Sequence, residues 1–178
     1  MPGDSYVSCG EELIETLLGS CVSACIRDVN LGVGGMNHFL LPETERNIAS
    51  EERNRYGIFA MKALLRDLKA LGAQDADLEV KVAGGGKVMS GMFDIGKENI
   101  RFAKVFLDSI GLHPAAIDVG GTSPRRILYD PLDGKLMVKK LGDRDSFRAM
   151  AYEAKYRLGA QSPKPSKGRG VNKRSNSS

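Results

Sequence analysis

Leu13 to Pro42 reads as β structure. Val22, Ala24 and Ile26 are separated by Ser23, Cys25 and Arg27, the period of two expected of a strand. Asp28-Val29-Asn30-Leu31-Gly32 is turn chemistry, with Asn and Gly able to take positive φ. Val33 to Leu41 predicts a second strand, ended by Pro42, and Gly34-Gly35 within it predicts a bulge or a close backbone approach. A helix is expected from Ser50, with Glu51 and Glu52 complementing its dipole. Phe59, Ala63, Leu64, Leu68 and Leu71 form its buried face, and Gly72 stops it. Leu78 to Val82 alternates strictly and reads as a strand closed by Gly84-Gly85-Gly86. A second helix is expected over Lys97 to Ile110, burying Ile100, Ala103, Phe106, Leu107 and Ile110 and ending at Gly111. Ala115 to Val119 is a short strand. Arg126 to Tyr129 and Lys135 to Val138 flank Asp130-Pro131-Leu132-Asp133-Gly134 as a hairpin, and a last helix spans Arg144 to Leu158. Tight hairpins demand antiparallel pairing. The pattern therefore predicts a mixed α/β or α+β layered domain, with mostly antiparallel β-sheets flanked by two or three helices. It argues against a doubly wound parallel sheet.

Length and charge sharpen this. The chain has 178 residues, enough for one domain with a real core. Residues 160–178 carry Lys164, Lys167, Arg169, Lys173 and Arg174 and no acid, whereas the whole chain has a net charge of +4. The basic character thus belongs to the tail, and residues 1–159, the expected folded domain, are slightly acidic. That disfavours a nucleic-acid face on the domain. The tail is rich in Ser, Pro, Lys, Gly and Asn and is expected to be disordered. No apolar run is long enough for a membrane span, no secretory signal is visible, and a cytoplasmic protein is expected.

The candidate chemistry is sparse. Cys9, Cys21 and Cys25 are an odd number of thiols without a CxxC spacing, and the histidines are His38 and His113. Neither a disulfide framework nor a metal site is expected. In Leu17-Leu18-Gly19-Ser20-Cys21-Val22 a thiol follows a glycine, where a nucleophile could meet backbone N–H groups; a small buried hydrophobe would look the same locally. Hairpin register narrows the choice. If Asp28 faces Leu31, Cys21 lies opposite His38; if Asp28 faces Val33, Cys21 faces Leu40 and His38 is its diagonal neighbour. Either register puts thiol and imidazole on one face, ~4.5–8 Å apart. A three-residue loop, or a bulge at Gly34-Gly35, would change the parity and separate them. An adjacent imidazole makes a thiol nucleophilic near neutral pH. Cys25 is a weaker candidate, Cys9 a bystander, and His113 a surface-loop residue. Gly84-Gly85-Gly86-Lys87 fails as a phosphate loop on spacing. Gly120-Gly121-Thr122-Ser123-Pro124-Arg125-Arg126 is either a carboxylate-binding loop or a turn with solvated arginines.

Thr16-Leu17-Leu18-Gly19-Ser20-Cys21-Val22-Ser23 followed by Gly34-Gly35-Met36-Asn37-His38-Phe39-Leu40-Leu41-Pro42 closely resembles the CheD family of chemoreceptor glutamine deamidases. The resemblance continues through Lys81 to Gly86, Met92-Phe93, Ile95 to Asn99, Asp118 to Gly121 and Gly134 to Val138, covering roughly residues 8–140. It implies a cysteine-hydrolase fold shared with deamidating bacterial toxins. It also implies a Cys–His–Thr triad that converts receptor glutamines to glutamates without metal or other cofactor. The matching residues are Cys21 as nucleophile, His38 as base and Thr16 as the orienting hydroxyl. Some members carry the threonine one position earlier, where this chain has Glu15, and many carry a glycine where this chain has Pro124. The implied partners are chemoreceptor cytoplasmic domains and, in some bacteria, a CheC-type phosphatase of the CheY response regulator. A non-catalytic adaptor binding the same partners is the alternative.

Overall fold

The computed structural model describes residues 4–41, 50–88, 94–142 and 151. The helix expected over residues 144–158 and the tail lie outside the described residues, apart from Ala151. The elements are β1 (Asp4–Ser8), β2 (Ile14–Leu18), β3 (Val22–Asp28), β4 (Val33–His38), α1 (Ser50–Ala70), β5 (Leu78–Gly84), α2 (Ile95–Ser109), β6 (Ala116–Val119), β7 (Arg125–Tyr129) and β8 (Leu136–Lys140). They build an α+β fold with two sheets. One has five strands in the order β1-β4-β3-β5-β6, the other three in the order β2-β7-β8. All pairings are antiparallel except β5 with β6, which α2 connects as a crossover.

The β3–β4 hairpin adopts the register in which Asp28 faces Val33. Asp28 itself sets the four-residue loop. Its Oδ1 accepts the N–H groups of Asn30 and Leu31 at 2.9 and 2.8 Å, and its Oδ2 accepts that of Gln74 at 2.9 Å. These bonds, that of Gln74 foremost, hold the Asp28 carboxyl below the usual carboxylate range against the opposing effect of burial. The same register resumes at Val22 opposite Phe39, so Gly34-Gly35 introduces no bulge. The glycines instead permit close approach: a Cβ on Gly35 would lie 2.4 Å from the Tyr6 carbonyl oxygen in β1.

Val22 and Phe39 face the helices, and the Phe39 ring meets Phe102 of α2 edge-on at 5.5 Å. Leu64, Leu68 and Leu107 are fully buried in this layer, each contributing ~1.5–3 kcal/mol. Three residues expected on the buried helix faces are exposed. Phe59 is 65% exposed, because it lies about 140° around α1 from Leu64. Leu71 and Ile110 are also exposed, since each follows the last residue of its helix. The expected Ala63, Leu64 and Leu68 are buried, and Gly57, Ala60 and Met61 complete that face of α1, with Gly57 admitting the Phe102 ring.

The opposite face of the five-stranded sheet is covered by the three-stranded one. Arg27 donates to the Leu132 carbonyl at 2.9 Å and Lys81 to the Gly134 carbonyl at 2.7 Å, tying the β7–β8 turn down. Tyr129 and Ile127 of β7 fill the space between the sheets. The layers are therefore helices, large sheet and small sheet.

Candidate active site

Gly19-Ser20-Cys21 is where the chain leaves the small sheet at the end of β2 and enters the large one at β3. Cys21 is fully buried. Val22 and Phe39 exchange two backbone hydrogen bonds of 3.0 Å. Cys21 and His38 flank that pair, and strand parity turns both side chains to the face opposite the helices, toward the small sheet. This is the second of the two expected registers: Cys21 is opposite Leu40, with His38 one diagonal step away, ~7–8 Å between backbones in a regular ladder.

Thr16 comes from the small sheet, paired with Ile127. Its Oγ1 lies 2.9 Å from His38 Nδ1, across the gap between the sheets. Glu15 points the other way and accepts from Arg126 Nε at 2.5 Å. The one-residue offset is therefore accommodated by Thr16, and Glu15 is not at the imidazole.

The ladder beside His38 is modified by Asn37. The Ala24 N–H donates to Asn37 Oδ1 at 2.8 Å, and Ser23 Oγ donates to the Asn37 carbonyl. Asn37 Nδ2 contacts Met61 Sδ at 3.1 Å, which anchors the amide to α1. Side-chain bonds thus stand in for ladder bonds next to the imidazole.

The turn carrying Cys21 rests on the glycine loop after β5. Gly85 N–H donates to the Cys21 carbonyl and Gly86 N–H to the Gly19 carbonyl, both at 2.7 Å. Positions 84 and 85 require glycine. A Cβ on Gly84, whose φ is +116°, would lie 2.2 Å from the Cys21 carbonyl oxygen. The loop's chemistry is therefore close backbone packing against the cysteine turn, in line with its failure as a phosphate loop. Asn99 of α2 completes the support, donating to the Ser20 carbonyl at 2.8 Å and accepting from Leu41 N–H at 2.9 Å. Sequence reasoning gave Asn99 and Asn37 no role. A buried polar residue has no periodic signature, and both lay unremarked within motifs quoted for other reasons.

The remaining candidates separate from this centre. Cys25 is buried, and burial pushes its thiol up to about 12, so it stays protonated at neutral pH. Cys9 is exposed. His113 is exposed, 3.6 Å from Asp108. Neither expectation holds for Arg125, which is buried and bound to the Asp118 carboxylate at 2.7 Å and to the Asp118 and Gly120 carbonyls. It closes its own loop, and burial lowers its pKa despite the adjacent Asp118. Arg126 is exposed and paired with Glu15. Among the described residues no group of three His, Cys, Asp or Glu side chains could hold a metal ion, and no helix is long and apolar enough to cross a membrane.

A concavity lies elsewhere, a groove of about 510 Å³ between α1 and α2 lined by Ile58, Leu65, Phe106 and Ile110. It holds no thiol or imidazole. The chemistry therefore points to the covered Cys21 rather than to this groove.

Comparison with known proteins identifies the family. The CheD family model, described as CheD chemotactic sensory transduction, matches residues 40–140. The chain is 47% identical over 144 residues to the probable chemoreceptor glutamine deamidase CheD of Hahella chejuensis, covering 79% of this chain and 68% of that protein. The corresponding protein of Halorhodospira halophila is 47% identical over 147 residues, with the same coverage. That of Saccharophagus degradans is 41% identical over 175 residues, covering 94% of this chain and 80% of its own. With the family model spanning more than half of its residues and relatives of this similarity along most of its length, the chain belongs to the CheD family.

Proposed function

We propose that the protein deamidates glutamine side chains of chemoreceptors, with Cys21 as nucleophile, His38 as general acid and base, and Thr16 as the group that orients the imidazole. The observation that carries this is the 2.9 Å contact between Thr16 Oγ1 and His38 Nδ1 across the two sheets, on the sheet face to which Cys21 also belongs. With Nδ1–H donating to the threonine oxygen, Nε2 is left as the acceptor for the thiol proton.

The reaction has two stages. The Cys21 thiolate adds to the glutamine amide carbon, and His38 returns the proton to the departing nitrogen, giving a thioester and ammonia. Water, losing a proton to His38, then adds to the thioester carbon. Collapse breaks the C–S bond and releases glutamate and the thiol. The net change is amide plus water to carboxylic acid plus ammonia. The oxyanion formed in each stage is held by the N–H groups of Ser20 and Cys21. Support comes from the carbonyls of Gly19, Ser20 and Cys21, all tied to the glycine loop and α2. In trans peptides that turns the N–H groups of Ser20 and Cys21 away from those contacts.

The chemoreceptor is the partner this reading needs, and a receptor's cytoplasmic helices are reached from the cytoplasm, the compartment the reading calls for. A CheC-type phosphatase is the second partner class that the family resemblance brings. The decisive experiment incubates purified receptor with wild-type protein and with Cys21→Ala. Mass spectrometry counts the conversions of glutamine to glutamate, and a coupled assay measures ammonia. Conversion by wild type alone is expected. Equal conversion by Cys21→Ala overturns the assignment of the nucleophile, and no conversion by either favours an adaptor.

A further inference from the structure

Asn99 lies on the inward face of α2 with no exposed surface. Its two bonds go to backbone groups far from it in sequence, the Ser20 carbonyl and the Leu41 N–H. A carbonyl can only accept and an N–H can only donate, so the amide has one orientation that satisfies both. Ser20 immediately precedes Cys21, and Leu41 lies three residues beyond His38. One side chain therefore spans the segments that carry the two reacting groups.

The turn adds a second observation. Its three consecutive carbonyls accept from Gly86 N–H, Asn99 Nδ2 and Gly85 N–H, at 2.7, 2.8 and 2.7 Å. The outer two are held by backbone and the middle one by a side chain. That middle carbonyl belongs to the peptide unit whose N–H is that of Cys21. The unit is trans and planar, so holding the oxygen on the α2 side aims the Cys21 N–H to the opposite side.

We infer that Asn99 is a positioning residue, fixing the Ser20–Cys21 peptide and its spacing from the strand of His38. This inference rests on the deamidase reading above. Asn99 touches no reacting atom; it acts through the Cys21 N–H and through the thiol–imidazole separation. Its effect falls on transition-state stabilisation, where a charged oxygen develops, rather than on receptor binding.

Two full-length variants test it. Asn99→Asp keeps the shape and an acceptor for Leu41 N–H, but sets an oxygen against the Ser20 carbonyl. Asn99→Ser is neutral and too short to span both groups. Circular dichroism establishes which variants are folded, and Asn99→Ser decides the matter where Asn99→Asp does not fold. In ammonia release from receptor, kcat is expected to fall ~10–100-fold while KM stays within about twofold. Iodoacetamide labelling, with Cys21 resolved from Cys9 and Cys25 by peptide mass spectrometry, gives a readout that needs no substrate. The pH midpoint of Cys21 labelling in Asn99→Ser is expected to move upward as the imidazole loses its spacing. Wild-type kcat in a folded variant, a loss confined to KM, or an unmoved labelling midpoint overturns the inference. If wild type releases no ammonia, the deamidase reading fails on its own, and the labelling midpoint still decides what Asn99 does.

Discussion

Replacing Gly84 with alanine tests the packing of the glycine loop against the cysteine turn. The backbone there has φ +116°, and the new methyl would sit 2.2 Å from the Cys21 carbonyl oxygen. A non-glycine residue in that conformation costs ~1–3 kcal/mol. A carbon and an oxygen need roughly 3.3 Å, so the Cys21 carbonyl must move by about 1 Å. That movement breaks or stretches its bond from Gly85 N–H, ~1 kcal/mol more. The total is roughly 2–4 kcal/mol, and at about 2–4 °C per kcal/mol for a chain of this size the melting temperature should fall by roughly 4–16 °C. The same displacement carries Cys21 off line, for which a loss in turnover of ~100-fold is reasonable. Gly111→Ala is the matched control: φ is +74° and nothing lies within 4 Å of the added Cβ. It incurs backbone strain alone, ~1–2 kcal/mol, and should leave turnover untouched. Thermal melts and ammonia release measured on both variants separate strain from displacement. If Gly84→Ala melts no lower than Gly111→Ala and turns over at the wild-type rate, the proposed role of the loop is wrong.

Thr16→Val removes the hydroxyl at the imidazole while keeping the shape. A hydrogen bond of ~1–1.5 kcal/mol corresponds to about a tenfold fall in kcat, with Thr16→Ser retaining most activity; equal rates for all three would remove Thr16 from the mechanism. Asp28 has its pKa lowered by folding, so its contribution to stability is complete above the unfolded carboxylate value of about 4 and is lost as pH falls through the lower folded value. Asp28→Asn should therefore melt below wild type at neutral pH, with the gap closing in acid; a gap independent of pH would contradict the loop analysis. Deleting residues 160–178 should leave the melting temperature and the rate on small amide substrates unchanged, since the segment has little apolar surface beyond Ala160 and Val171. A fall of many degrees would show that the tail docks.

The Cys21–His38 relationship was legible because strand parity is a local property. The turn at Asp28 to Gly32 allowed more than one loop, but the two registers that share a face both keep thiol and imidazole together. The Asp28 carboxylate, bonded within its own loop and to Gln74, holds the longer of them. What lay beyond local pattern was anything made by distant pairing. Thr16 meets the imidazole only because β2 belongs to a separate sheet, a partition no alternation of residues announces. β1 went unnoticed because Asp4-Ser5-Tyr6-Val7-Ser8 carries little apolar signal, yet its edge pairing with β4 gives it a place. Arg125 read as either a carboxylate-binding or a solvated loop residue, since nothing in a run of turn residues indicates that a guanidinium will be enclosed by Asp118 and Gly120. Phe59 was misplaced by grouping apolar residues without their angle around the helix.

The strand carrying Thr16 is held by β7, and Thr16 pairs with Ile127, more than a hundred residues later. On a ribosome, Cys21 and His38 emerge early and can close their hairpin while β7 is still unsynthesised. Pairing of β2 must wait for the far end of the domain, a late, high-separation event in folding. On that order the strands of Cys21 and His38 should pair before the strand of Thr16 finds its partner. A nascent or truncated chain ending before β7 holds Cys21 and His38 without the strand partner of Thr16, so under the proposed mechanism full activity should belong to the finished domain and report on completion of its last sheet.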